Sequence, residues 1–142
     1  MRIETKYFGD IEIDEENIIR FPQGVLGFPG QERFVLILNP EDNVPFHWLQ
    51  SIENGELCFI IVEPFFFVPE YDFEIDETAV NILSSDQAEE LIVYSVAAVP
   101  EKFEETTINL LGPIVINTIK KVGAQLVLEN SDWSVKHPIL KQ

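Results

Sequence analysis

The sequence predicts an all-β fold, a barrel or a sandwich, of about ten short strands with one short helix. Three observations carry this. Several segments alternate apolar and polar residues with period two, and others are short apolar runs. Turn signals recur about every ten residues, and β-branched and aromatic residues crowd the stretches between them. One segment reads as a short helix, with a start signal at Asp76 followed by Glu77 and Thr78.

The elements follow in order. Arg2–Tyr7 alternates, with Ile3, Thr5 and Tyr7 on one face, and Ile11-Glu12-Ile13 continues across the Gly9-Asp10 turn signal as an opening hairpin. Asn17–Phe21 is a third short strand. The segment from Pro22 to Gly30 holds three glycines and two prolines, which excludes helix and regular strand and predicts a shaped loop. Val25, Leu26 and Phe28 are expected to fold that loop back onto the core. Arg33–Leu38 and Pro45–Ser51 read as strands, the second with Phe46, Trp48 and Gln50 opposite His47 and Leu49. Asn54-Gly55 is a tight-turn signal. Leu57–Val62 is apolar throughout, as in a strand covered on both faces.

The stretch from Glu63 to Tyr71, bracketed by prolines, is expected to be an edge strand or an extended loop. Tyr71–Asp76 alternates with its acids on one face. A short helix should run from an Asp76 cap to about Leu83. Leu91–Val99 is the clearest strand, and Thr106–Leu111, Ile114–Asn117 and Ala124–Leu128 complete the set. The expected organisation is one domain over residues 1–131 and a polar C-terminal tail over 132–142. No internal repeat or linker divides the chain.

Composition narrows the function. The formal net charge is −16, and between Arg33 and Lys102 the chain has no Lys or Arg but 14 Asp or Glu. Nucleic acid and anionic membranes repel such a surface, whereas a basic protein face attracts it. No basic n-region precedes an apolar stretch at the start, and the longest apolar run is half of the ~20 residues that a membrane helix needs. The lone Cys58 forms no internal disulfide and suits a reducing compartment, so a cytoplasmic location is expected.

The search for chemistry gives no constellation. His47 and His137 are far apart, there is no HExxH, and one cysteine builds no zinc site. No G-x-S-x-G elbow or phosphate-binding loop occurs. The expectation is a protein without catalytic, metal or cofactor sites. An interaction surface remains. Phe65-Phe66-Phe67 cannot all point to one side of a strand, so at least one ring is a candidate for exposure beside acids.

Several separated motifs then fall in a recognisable order: Phe21–Pro29, Pro45–Ser51, Pro64–Tyr71, Asn109–Asn117 and Gly123-Ala124-Gln125. With them the chain, from Ile3 to about Leu128, resembles the FliW family of bacterial flagellar assembly factors; Gly112 stands where many members would carry Ala. The resemblance implies a small, partly open β-barrel without enzymatic activity. It implies binding to flagellin and to CsrA, a small RNA-binding translational repressor, whose repression of flagellin synthesis the free protein relieves. A monomer when free, with no direct nucleic-acid or membrane contact, is expected. From charge clustering and aromatic placement, Glu70, Asp72, Glu74, Asp76 and Glu77 are assigned to the CsrA-facing surface. Phe65, Phe67 and Tyr71 are candidate apolar anchors, with Leu26 and Phe28 as a second group. The alternatives are an acidic β-barrel subunit of a larger assembly, or a small-ligand barrel, which would need an internal pocket with convergent polar groups.

Overall fold

The structure is a computed structural model, and it describes residues 1–25, 27–84 and 88–140. β1 (Arg2–Thr5) and β2 (Gly9–Glu12) form a separate antiparallel hairpin. Thr5 closes its turn: its hydroxyl donates to the Gly9 carbonyl at 2.8 Å and accepts from the Phe8 N–H at 2.9 Å. The hairpin is tied to the rest of the chain by the Lys6 N–H on the Gly55 carbonyl (3.0 Å) and by the Phe8 ring edge on Trp48.

The other strands are β3 (Ile18–Arg20), β4 (Arg33–Ile37), β5 (Phe46–Ser51), β6 (Cys58–Val62), β7 (Leu91–Ala98), β8 (Thr107–Ile108), β9 (Ile114–Asn117), β10 (Val122–Gln125) and β11 (His137–Pro138). From β3 to β7 each pairs antiparallel with the next. β9 returns along Leu91–Tyr94 of β7, and β10 pairs with β9. β10 then meets β3 in parallel at Val122–Arg20, where the Arg20 N–H also donates to the Lys121 carbonyl. These contacts close a ring of seven strands. The barrel is therefore closed, where the sequence reading left it partly open. The reason is the length of β7. Its first half carries β9, and its last residues, Ala97 and Ala98, carry β8, so the β9–β10 hairpin reaches round to β3.

Alternation sends Ile19, Phe21, Phe34, Leu49, Ile61, Tyr94, Ile114 and Ile116 into the barrel, where they form its main core. Burying each large side chain is worth about 1.5–3 kcal/mol. Outside the barrel, two smaller apolar clusters are roofed by the connections. One lies under Val68 and Tyr71, which follow the short helix α1 (Pro64–Phe67), and under Trp133 and Ile139. The other lies under helix α2 (Glu77–Leu83), which buries Ala79 and Leu83, one turn apart, with Leu83 packed against Val115 and Ala124. Asp76 caps α2 by accepting from the Ala79 N–H at 2.8 Å, as its sequence signal requires.

The structure refines the local expectations in four places. Pro64–Phe67 is a helical turn and neither an edge strand nor an extended loop, because proline occupies a first-turn position where its missing N–H costs nothing. Residues 71–76 belong to no strand: Tyr71, Phe73 and Ile75 face the protein and the acids face solvent, but no neighbouring strand pairs with them. The C-terminal segment, read as a polar tail, is docked on the protein as far as residue 139. Trp133 packs edge-on against Tyr71, the Ser134 carbonyl accepts from the Leu110 N–H, and β11 pairs with β8. In the glycine-rich loop Val25 is buried as expected, Phe28 is 39% exposed with its ring edge against Phe59, and Leu26 lies outside the described residues.

Candidate functional site

β6 ends at Val62, and the chain turns away into α1 at Pro64. This turn opens a groove of about 740 Å³ between α1, the acidic segment and β7. Phe65 and Phe66 form one wall, Phe73 and Ile75 the other, and Leu91–Tyr94 the floor; Glu63 and Asp72 stand among these apolar groups. Phe66 is 64% exposed and Phe65 43%. They hold their places through ring contacts, Phe65 on Tyr71 at 5.7 Å and Phe66 on Phe67 at 5.1 Å. Such rings carry a large apolar area at low entropic cost, which suits them as anchors for a partner.

The acids Glu70, Asp72, Glu74, Asp76 and Glu77 are all exposed and follow the groove in sequence. Two of them also have structural duties. Asp76 caps α2, and the Asp72 backbone carbonyl accepts from the Trp133 indole N–H at 3.1 Å. Glu74 and Asp76 line a smaller cleft with Gln23 and residues 124–128.

Glu63, which lines the groove, also meets His47 of β5. The Asn39 N–H donates to His47 Nδ1 at 3.0 Å, which leaves Nε2 to carry the ring proton toward Glu63 Oε2 at 3.3 Å. His47 is buried and packs against Tyr94, so its role here is structural. Burial, with the Glu63 charge adding to it, pushes the Tyr94 hydroxyl up to about 12. No group of three or more His, Cys, Asp or Glu side chains is placed to hold a metal ion among the described residues.

The named anchors divide. Phe65 lines the groove. Phe67 is half-buried and faces Phe46 at 5.9 Å. Tyr71 is 3% exposed, and its hydroxyl donates to the Leu110 carbonyl at 2.6 Å, so its ring is core and not an exposed anchor. Burial holds that hydroxyl far above the ordinary tyrosine range. Phe28 lines no part of the groove. The sequence reading missed Phe66, Phe73, Glu63 and the β7 floor. The signal for Phe66 was present: with Pro64 at a helix start, helical spacing turns Phe67 inward and Phe66 out.

A model of the FliW protein family matches residues 2–139. The chain belongs to the FliW family. Among its relatives, the flagellar assembly factor FliW of Alkaliphilus metalliredigens is 48% identical over 142 residues, covering all of this chain and 88% of the relative. That of Caldanaerobacter subterraneus subsp. tengcongensis is 41% identical, covering all of this chain and 95% of the relative. A crystal structure of the flagellar assembly factor FliW superposes with a TM-score of 0.93 at 37% identity, covering all of this chain and 99% of the other. The closed barrel with its outer helix is thus the fold of a FliW protein.

Proposed function

We propose that this chain is a cytoplasmic, non-enzymatic regulator that binds flagellin and, when free, binds CsrA and relieves its repression of flagellin synthesis. Flagellin occupies the protein until it is secreted, and the freed protein then takes CsrA. The observation that carries the reading is the juxtaposition of an apolar groove with five exposed acids, in a stretch devoid of Lys and Arg from residue 34 to 101. An RNA-binding repressor needs a cationic surface to hold phosphates, and an acidic ridge is complementary to it. The screening length is about 8 Å at physiological salt, so the ridge acts only on groups docked close to it. Phe65 and Phe66 supply apolar contact beside the charge.

Titration calorimetry with purified CsrA, repeated with flagellin already bound, tests the switch. Loss of CsrA binding in the presence of flagellin is expected, and undiminished binding refutes mutual exclusion. The triple substitution Glu70→Lys, Glu74→Lys, Glu77→Lys tests the ridge and spares the helix cap and the Asp72 contact. It should slow association and weaken CsrA binding most at low salt; unchanged affinity there removes the ridge from the interface.

A further inference from the structure

We infer that the groove takes an extended peptide segment, alternating apolar and basic residues, as an added strand on the free edge of β7. The inference rests on the reading of this face as a docking surface and specifies how its occupant is held.

The hydrogen-bond pattern of β7 carries the argument. The Glu90 carbonyl accepts from the Thr118 N–H, and the Val96 carbonyl accepts from the Asn109 N–H. Even-numbered residues of this strand therefore direct their backbone groups toward β9 and β8. Odd-numbered residues direct theirs to the opposite edge, toward β6. At Ser95 that edge is paired, with Val62. The same register would set position 64 opposite Val93, but position 64 is a proline that begins α1. β6 has left the sheet by then. Among the described residues none meets the Val93 N–H or C=O on this side. Val93 is half-buried, and it lies on the groove floor with Leu91, Ile92 and Tyr94. The groove thus follows a strand edge, continues the line that β6 abandons, and offers backbone groups that an incoming strand can satisfy.

The surroundings fix the chemistry of the occupant. Phe66 and Phe73 offer apolar contact from the two walls, and Glu63 and Asp72 supply negative charge with no Lys or Arg lining the groove. A strand alternating apolar and basic side chains matches both.

The test uses the full chain and a short synthetic peptide alternating Val and Lys. Two further peptides carry N-methyl groups on all Val or on all Lys residues, so each blocks one edge of the extended peptide. Strand addition predicts unequal effects: one methylated peptide binds as the parent does, and the other loses affinity by about tenfold or more. Exchange of the Val93 amide hydrogen, followed by NMR, should slow when the parent peptide binds. Equal losses with both methylated peptides, an unchanged Val93 amide, or no binding of the parent peptide each overturn the proposal. CsrA titrated into the same sample separates the two readings. Binding of CsrA without the peptide removes only strand addition, whereas binding of neither removes the docking reading as well.

Discussion

Gly123 sits on β10 opposite Ile116, on the face that looks into the barrel. A Cβ built there would stand 2.6 Å from Cζ, 2.7 Å from Cε2 and 3.0 Å from Cε1 of Phe21. Carbon contacts settle at about 3.5–4.0 Å, so Gly123→Ala forces an overlap of nearly an ångström. The ring has no room to give way, being fully buried and edge-packed on Phe34 at 5.3 Å. Overpacking of this kind costs about 1–3 kcal/mol, and the depth of the overlap puts this site at the upper end. Gly123 is not in the positive-φ region, so the alanine recovers about 0.4–1 kcal/mol through the unfolded chain. A net loss of about 2 kcal/mol follows, which lowers Tm by about 4–8 °C for a chain of this size. Urea unfolding followed by tryptophan fluorescence, with thermal melts, should be run on Gly123→Ala, Phe21→Leu and the double variant. Each single change destabilises, but in the pair the new methyl enters space the ring has left. The double variant should therefore be more stable than the sum by about 1 kcal/mol or more. A Gly123→Ala melt within about 1 °C of the parent chain, or strict additivity, refutes the packing argument.

Gly55→Ala acts differently, because its Cβ would lie 1.9 Å from the Glu4 carbonyl oxygen, a backbone atom. It should release the β1–β2 hairpin and raise hydrogen exchange at Lys6, with the seven-stranded ring intact; unchanged protection at Lys6 counts against this. Tyr71→Phe leaves the Leu110 carbonyl without its 2.6 Å donor and should cost about 1–3 kcal/mol in urea unfolding. At alkaline pH the folded chain holds the Tyr94 proton up to about 12, whereas the ordinary value is 10.0. The unfolded state then binds fewer protons, so stability should fall as pH rises through the window 10–12 and fall less steeply in Tyr94→Phe. At the acid end, partial burial works against ionisation of Glu53, but the N–H groups of Glu32 and Arg33 and the Arg33 guanidinium outweigh it and hold the carboxyl below its ordinary 4.5. This stabilisation is present above that value and lost below it, so Glu53→Gln should cost about 1 kcal/mol or less at neutral pH and progressively less under acid.

Much of the fold was legible because period-two alternation reports which side chains face the protein. With the short apolar runs between turn signals it located β3 to β7 and β9, and it set Phe46, Trp48 and Gln50 against His47 and Leu49. The same rule misled at residues 71–76. There Tyr71, Phe73 and Ile75 do face inward, but alternation measures facing and not pairing, and no ladder partner lies beside them. The triple-phenylalanine segment misled for a related reason. Three bulky aromatics favour strand by propensity, yet the proline before them and the exit from β6 turn them into a helical start. The C-terminal segment reads as polar, but Trp133 and Ile139 pack on the core and backbone bonds at Ser134 and in β11 dock the rest.

By itself the sequence determined what is local: most of the strand content, the Asp76 cap, the excess of acid and the run of acids from Glu70 to Glu77, together with the motifs that resemble the FliW family. Tertiary structure decided what depends on distant partners. Closure of the barrel rests on β10 meeting β3 across about a hundred residues of chain. The burial of Tyr71 rests on a carbonyl at Leu110 and a ring at Trp133. The groove exists because β6 leaves the sheet while β7 continues, so its floor and walls come from segments that no sequence window contains together. Local chemistry is written in neighbouring residues, whereas a concave site is a property of which surfaces the chain brings side by side and which strand edge it leaves without a neighbour.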